Sequence, residues 1–144
     1  AIKFLKKISK KINNKKGALL IIDYGYITEE MKDTLMAIKK HREMNILDEI
    51  GNADITYHLN FKILEKIIKN FKVKCQGITT QRNFLINLGI KERAEIISKN
   101  LPFSKKADIY YRVQKLINKN SMGEIFKVML ATRDDCNFNS GFIK

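Results

Sequence analysis

Ile2, Leu5, Ile8 and Ile12 recur at helical spacing between lysines, which predicts an amphipathic helix over residues 2–13 that the polar run Asn13 to Gly17 stops. The next five residues, Ala18-Leu19-Leu20-Ile21-Ile22, are apolar throughout and end in Asp23-Tyr24-Gly25-Tyr26. A short run with no polar face suits a strand covered on both sides in a parallel sheet. Helix, apolar strand, then polar and glycine residues at the strand's carboxyl end is the order found in α/β sheets, where ligands bind at that end. From Thr28 to Arg42, Met31, Leu35 and Ile38 keep a helical stripe, and the closing Lys39-Lys40-His41-Arg42 would complement a helix C-terminus. Residues 43–59 show no sustained period and contain Gly51, Asn52 and Asp54, so they read as a long loop, a kind of segment that is often functional.

Phe61, Leu64, Ile67, Ile68 and Phe71 mark a clear helix, with Asn60 placed to cap its free N–H groups. Val73 and Cys75 alternate with lysines before Gly77, as in a strand. Residues 81–88 and 91–99 read as two short helices divided by Gly89. A third spans 104–118, with Ile109, Val113, Leu116 and Ile117 inward and Pro102 separating it from the one before. Residues 124–132 are almost wholly apolar around Lys127, which favours a strand, with a buried helix as the rival. The tail after Asp134 reads as loop, and with no repeat or low-complexity linker the chain is one unit, 1–144.

At 144 residues and 44% hydrophobic, the chain can bury a single core, which excludes disorder. Charges interrupt every apolar run well short of the roughly 18 residues a membrane-spanning helix needs. They also break every candidate signal-peptide core, so no secretory signal is expected. Cys75 and Cys136 make neither a disulfide framework nor a C-x-x-C zinc pair; both thiols are expected free in a reducing compartment.

The net charge of +13 invites a nucleic-acid partner. Against it, the basic residues are 23 Lys and 5 Arg beside 22 Ile and 13 Asn, the bias of an AT-rich coding sequence, and the lysines are scattered. Only Lys6, Lys7, Lys10, Lys11, Lys15 and Lys16 run densely, as a solvated helix face, a basic arm or part of an interface. No sequence-specific nucleic-acid binding is expected.

No G-x-S-x-G, phosphate-binding P-loop or G-x-G-x-x-G fingerprint is present, so the residues alone name no reaction. Candidate chemistry lies with Asp23 and Tyr24 at the strand end and with Asp54, Thr56 and His58 in the long loop. Each has a plain alternative: Asp23 bracing a turn, His41 capping a helix, Asp54 bonding nearby backbone N–H groups.

Taken in order, several segments resemble one family, the MidA-like S-adenosylmethionine-dependent methyltransferases, which include the mitochondrial complex I assembly methyltransferase. Gly17 to Gly25, GALLIIDYG, is similar to its "GG-aliphatic-DYG" strand, and Asp33-Thr34-Leu35 with Lys40-His41-Arg42 to its "DTL...KH(R)" stretch. Gly51 to His58 with Phe61 resembles "PGxADxTxHVDF". Gln81 to Leu85 with Leu88-Gly89-Ile90 and Arg93 resembles "QxxFLxxLGIxxR", and Met122 to Val128 resembles "MGExFKV". Ile50 stands where the family has proline, and Leu59-Asn60 where it has Val-Asp, so Asn60 keeps a capping oxygen but lacks a charge.

The resemblance implies an α/β fold, the C-terminal portion of a Rossmann-like class I methyltransferase with its edge strands and added helices. The cofactor-binding strands, glycine-rich loop and following acidic residue are expected upstream of Ala1, so S-adenosyl-L-methionine would serve the complete enzyme and not bind this chain tightly. The implied reaction is methyl transfer to an arginine of a protein subunit, with a respiratory complex I subunit as the candidate substrate and the missing N-terminal part of the same enzyme as a partner. A guanidinium is a cationic, poor nucleophile that carboxylates must orient, which makes Asp23 and Asp54 the expected catalytic residues. Tyr24, Gly25, Thr56 and His58 are the expected substrate-binding positions; no metal is expected. The place of action would be the cytoplasm of a bacterium with an AT-rich genome, or the mitochondrion in a eukaryote. The alternative is a non-catalytic remnant or binding module that docks to a protein partner.

Overall fold

The computed structural model describes residues 2–40, 42–138 and 140–142. Helix α1 (Ile2–Lys15) forms where the sequence pattern puts it, burying Leu5, Ser9 and Ile12 while its lysines stay in water. Strand β1 (Ala18–Tyr26) follows, then β2 (Met36–Lys39), β3 (Arg42–Met44) and β4 (Asp54–Thr56). The short β5 (Leu59–Asn60) leads directly into α2 (Phe61–Lys69), and β6 (Lys74–Thr80) comes next. Helices α3 (Gln81–Asn87), α4 (Ile90–Ser98), α5 (Phe103–Ile117) and α6 (Met122–Ile125) precede the last strand, β7 (Phe126–Thr132).

Two sheets result: a four-stranded one ordered β5-β1-β7-β6 and a small antiparallel one ordered β3-β2-β4. Because β7 runs antiparallel to both β1 and β6, those two run parallel to each other. One face of the main sheet carries the core, in which Leu5, Ile12, Phe61 and Ile68 from α1 and α2 meet Val73, Met129 and Ala131. Each of these side chains larger than Ala131 contributes about 1.5–3 kcal/mol by leaving water. Asn60 Oδ1 starts α2 by accepting the Lys62 and Ile63 N–H groups at 3.0 and 3.2 Å. Asn13 Nδ2 donates to the Phe71 carbonyl at 3.1 Å, fastening the last turn of α1 to the segment after α2.

Helices α3 to α6 form a second cluster between β6 and β7. Gly89, at φ 78°, adopts the left-handed conformation that turns α3 into α4. Gln81 Nε2 and Arg82 Nη1 donate to the Leu116 and Ile117 carbonyls at 2.9 and 2.6 Å, satisfying groups that the end of α5 leaves free.

Three expectations need correction. The stretch from Thr28 to Arg42 is not a helix: residues 27–35 are irregular, and β2 and β3 follow. Local polar contacts compete with helix there, since Thr28 Oγ1 donates to the Glu30 carbonyl, Tyr26 Oη accepts the Lys32 N–H, and Asp33 Oδ1 accepts the Leu35 N–H. Met31 and Leu35 are consequently exposed, while Ala37 of β2 is buried. Residues 43–59 are not one long loop either, since they contain most of β3, all of β4 and the first residue of β5. Strand β1, finally, has an antiparallel neighbour and only one covered face among the described residues. Leu19 and Ile21 pack on the core, whereas Leu20 and Ile22 are each 47% exposed. His41, suggested as a helix cap, lies outside the described residues.

Candidate active site

The antiparallel course of β7 brings its first residues to the same end of the sheet as the last residues of β1 and β6. Asp23 stands opposite Lys127 and Tyr24 opposite Phe126, while Thr80 of β6 flanks Lys127 from the other side. Side chains alternate along a strand, so Asp23 shares a face with Leu19 and Ile21, and Tyr24 shares the other with Leu20 and Ile22. Asp23 Oδ1 accepts the Tyr24 N–H at 2.8 Å, which fixes the carboxylate and leaves its second oxygen available. Burial pushes the Lys127 pKa down, and its ammonium donates to the Glu124 carbonyl instead of reaching Asp23.

The Tyr24 ring neighbours two others, with ring centres 4.2 Å from Phe126 and 6.2 Å from His58, the planes of the latter pair nearly parallel at 12°. His58 is held by its main chain, whose N–H donates to Thr34 Oγ1 at 3.0 Å. The strand partner of Gly25 is Leu59. A Cβ at position 25 would stand 2.4 Å from the Leu59 carbonyl oxygen and 2.6 Å from the Phe61 ring, so β5 can approach this closely only because residue 25 has no side chain. Gly25 is buried, and its pairing with Leu59 brings the chain at His58 to the end of β1. Asn60 Nδ2 donates to the Glu30 carbonyl at 3.3 Å, a bond an aspartate could not make, and so ties the irregular segment after β1 to the same corner.

Asp54 and Thr56 sit on β4 of the small sheet, opposite Ile38 and Met36. The Asp54 side chain is exposed and has no hydrogen bond or ion pair among the described residues. No direct bond joins it to Asp23. The structure thus unites Tyr24, Gly25 and His58, sets Asp23 beside them on the other face, and connects Asp54 and Thr56 to that corner through the run into β5. Thr34, Phe126 and Lys127 were not named as site residues, although the family-like segments Asp33-Thr34-Leu35 and Met122 to Val128 contain them. Thr34 fell in a stretch whose spacing suggested helix, and the place of the other two beside β1 depends on the register of β7.

A mixed sheet with its polar groups gathered at the carboxyl ends of parallel strands, backed by helices, defines the α/β class whose ligands bind beyond those ends. Residues 1–79 match the family model described as "Putative S-adenosyl-L-methionine-dependent methyltransferase", and the chain belongs to that family. It is 34% identical over 123 residues to protein arginine methyltransferase NDUFAF7, mitochondrial, of Danio rerio, an alignment covering 85% of this chain and 29% of that protein. The Mus musculus protein of the same name is 32% identical, with 85% and 28% covered. The crystal structure of a likely methyl transferase from Burkholderia thailandensis, bound to S-adenosyl-homocysteine, superposes with a TM-score of 0.84 at 27% identity. That match covers 99% of this chain and 38% of the other. The chain therefore spans less than a third of these NDUFAF7 proteins and under two fifths of that solved relative.

A nucleoside cofactor carrying a carboxylate would need free N–H donors at a helix start beside the strand ends. No helix follows β1 directly; at the start of α2 Asn60 Oδ1 accepts two N–H groups, and at the start of α3 Thr80 Oγ1 accepts one, that of Asn83. Among the described residues no group of three or more His, Cys, Asp or Glu could hold a metal ion.

Proposed function

We propose that this chain is the C-terminal part of an S-adenosylmethionine-dependent methyltransferase that modifies an arginine side chain of a protein, with a respiratory complex I subunit as its substrate. The observation that carries this reading is the likeness, over 99% of the chain, to a solved methyl transferase bound to S-adenosyl-homocysteine. The protein-arginine specificity follows the names of the NDUFAF7 relatives. S-adenosylmethionine supplies the methyl group and is held by the part of the enzyme that this chain does not span. The place of action is the bacterial cytoplasm, or the mitochondrion in a eukaryote, as in those relatives; no helix among the described residues is long and apolar enough to cross a membrane.

In this reading the chain supplies the substrate side of the site. A guanidinium presents a flat fork of N–H donors, which carboxylates recognise through paired, charge-assisted hydrogen bonds. The free oxygen of Asp23 and the unpaired carboxylate of Asp54 are the acceptors, and by holding the charge toward two nitrogens they leave the third richer in electron density. The Tyr24 ring, 40% exposed, offers a face on which a guanidinium can stack. Thr56 and His58 orient the substrate backbone, with His58 accepting the proton that the methylated nitrogen sheds. Orientation supplies most of the rate, since the reaction itself is a simple displacement.

The test uses a chimera in which these 144 residues replace the matching part of the Burkholderia thailandensis protein. Asp54→Asn should leave its melting temperature nearly unchanged and lower the initial rate of labelled methyl transfer by at least about tenfold, the loss of one orienting charge. Asp23→Asn should do the same with some loss of stability, because Asp23 also holds the Tyr24 N–H. Unchanged rates in both variants would reject the catalytic assignment.

A further inference from the structure

Helix α1 carries a dense basic run that neither the core nor the candidate site uses. Leu5, Ser9 and Ile12 face the core, so by helical spacing Lys3, Lys6, Lys7, Lys10 and Lys11 fan over the opposite face, all of them exposed. No acidic residue precedes Asp23, and no lysine of α1 has an ion pair among the described residues. This arrangement works against the helix itself: Lys3 stands in a first turn that holds no acid, and Lys3 with Lys7, Lys6 with Lys10 and Lys7 with Lys11 are like charges four residues apart. An AT-rich coding bias raises lysine throughout a chain, but it does not strip acidic residues from one helix. Between α1 and the end of α2 a cleft of about 350 Å³ is lined by Lys6, Lys10 and Asn14 on one side and by Asn70, Phe71 and Lys72 on the other. Asn13 joins the two sides through its bond to the Phe71 carbonyl. Lys72, at φ 58°, holds a left-handed position that glycine takes more readily, and it brings a third ammonium to a cleft with no carboxylate in its lining.

We propose that the lysine face of α1, with the cleft between Lys6, Lys10 and Lys72, is a docking surface for an anionic lipid layer. The cleft takes a phosphate headgroup, the other lysines lie along the layer, and Ile2 and Phe4 enter the headgroup region. A lysine cluster of this size on one helix is what a negatively charged lipid surface attracts. Two features favour lipid over nucleic acid. Ile2 and Phe4, both in the first turn, are 60% and 61% exposed, which a lipid interface favours and water does not. Helix α1 has no arginine to fork onto phosphates, and Phe4 is its only aromatic residue for stacking on bases. The contact is peripheral, because the apolar stripe of α1 is already buried in the core. It does not depend on the methyltransferase reading.

The experiment sediments the 144-residue chain with vesicles of phosphatidylcholine alone and with vesicles in which roughly one-third of the lipid is phosphatidylglycerol. The chain should partition onto the second kind and not the first, and salt at about 1 M, which screens charges beyond ~3 Å, should release it. Lys6→Gln with Lys10→Gln should weaken partition at least about tenfold, since each lysine near the surface contributes about fivefold, or about 1 kcal/mol. Lys91→Gln with Lys105→Gln removes the same charge from exposed positions on α4 and α5, and it should change partition less than about twofold. Phe4→Ser removes no charge and should weaken partition at least about threefold. All three variants should melt with the wild type, the altered positions being exposed, so that lost binding is not lost folding. Sedimentation with neither kind of vesicle, or equally with both, would overturn the proposal. So would equal losses from the two lysine pairs, or a Phe4→Ser variant that partitions like wild type. Tight binding of a single-stranded oligonucleotide in place of the vesicles would assign the face to nucleic acid and also overturn it.

Discussion

Replacing Gly25 by alanine probes the closest approach in the candidate site. The new Cβ would lie 2.4 Å from the Leu59 carbonyl oxygen and 2.6 and 2.7 Å from two carbons of the Phe61 ring. An ordinary carbon–oxygen contact is about 3.3 Å, so the Leu59 carbonyl must retreat by about 0.9 Å. The ring could turn or be trimmed, but the carbonyl is backbone, and it belongs to a strand paired at only two positions, Gly25 with Leu59 and Tyr26 with Asn60. Overpacking of this kind costs about 1–3 kcal/mol, and weakening the short ladder adds about 0.5–1.5 kcal/mol for a lost hydrogen bond. The expected total is about 2–4 kcal/mol, which urea denaturation should report as a lower midpoint with an unchanged slope. Combining Gly25→Ala with Phe61→Leu should recover only a small part, because the backbone contact remains. A midpoint equal to wild type would refute the reasoning, and full recovery in the double variant would show that the ring alone makes the position tight.

Arg82→Ala removes the donor to the Ile117 carbonyl and should cost about 1–3 kcal/mol, the scale for a charged hydrogen bond lost from a partly buried acceptor; calorimetric melting checks it, and a shift below 1 °C would count against the end of α5 being held this way. The Lys69 ammonium, with Lys62, holds the Glu65 carboxyl below the usual carboxylate range against the opposing effect of burial. A carboxyl whose folded pKa is depressed adds stability that is complete above its unfolded pKa and lost as pH falls through the folded one. Glu65→Gln should therefore cost about 0.5–1 kcal/mol at neutral pH, and the two proteins should converge in acid; a gap that persists there would mean that Glu65 acts by packing.

What could be read from the chain followed the range of the forces involved. Helices α1 and α2 were legible because their apolar stripes bury the faces those stripes define, and Asn60 caps where a side-chain oxygen was expected. The division at Gly89 was legible because a left-handed turn there is what glycine permits at no steric cost. Residues 28–42 misled because Met31, Leu35 and Ile38 mimic a helical period, while Thr28 and Asp33 bond the local backbone and release the chain into strands. The unbroken run from Ala18 to Ile22 suggested a strand with two covered faces, yet Leu20 and Ile22 remain half exposed. Of the candidate site, Asp23, Tyr24 and His58 were proposed from their place in the sequence, and the fold brings the Tyr24 and His58 rings together. Their setting depends on the β1–β7 register and on Thr34, long-range pairings that local composition does not encode.

Methyl transfer to arginine is tested most directly by the identity of the product. The chimera carrying these residues is incubated with methyl-labelled S-adenosylmethionine and a protein extract, and the protein fraction is hydrolysed to amino acids. The label should be recovered in N-methylated arginine, and it should fall at least about tenfold with Asp54→Asn. Recovery in methylated lysine or histidine, or no protein-bound label from a chimera that binds S-adenosyl-homocysteine, would contradict the assignment.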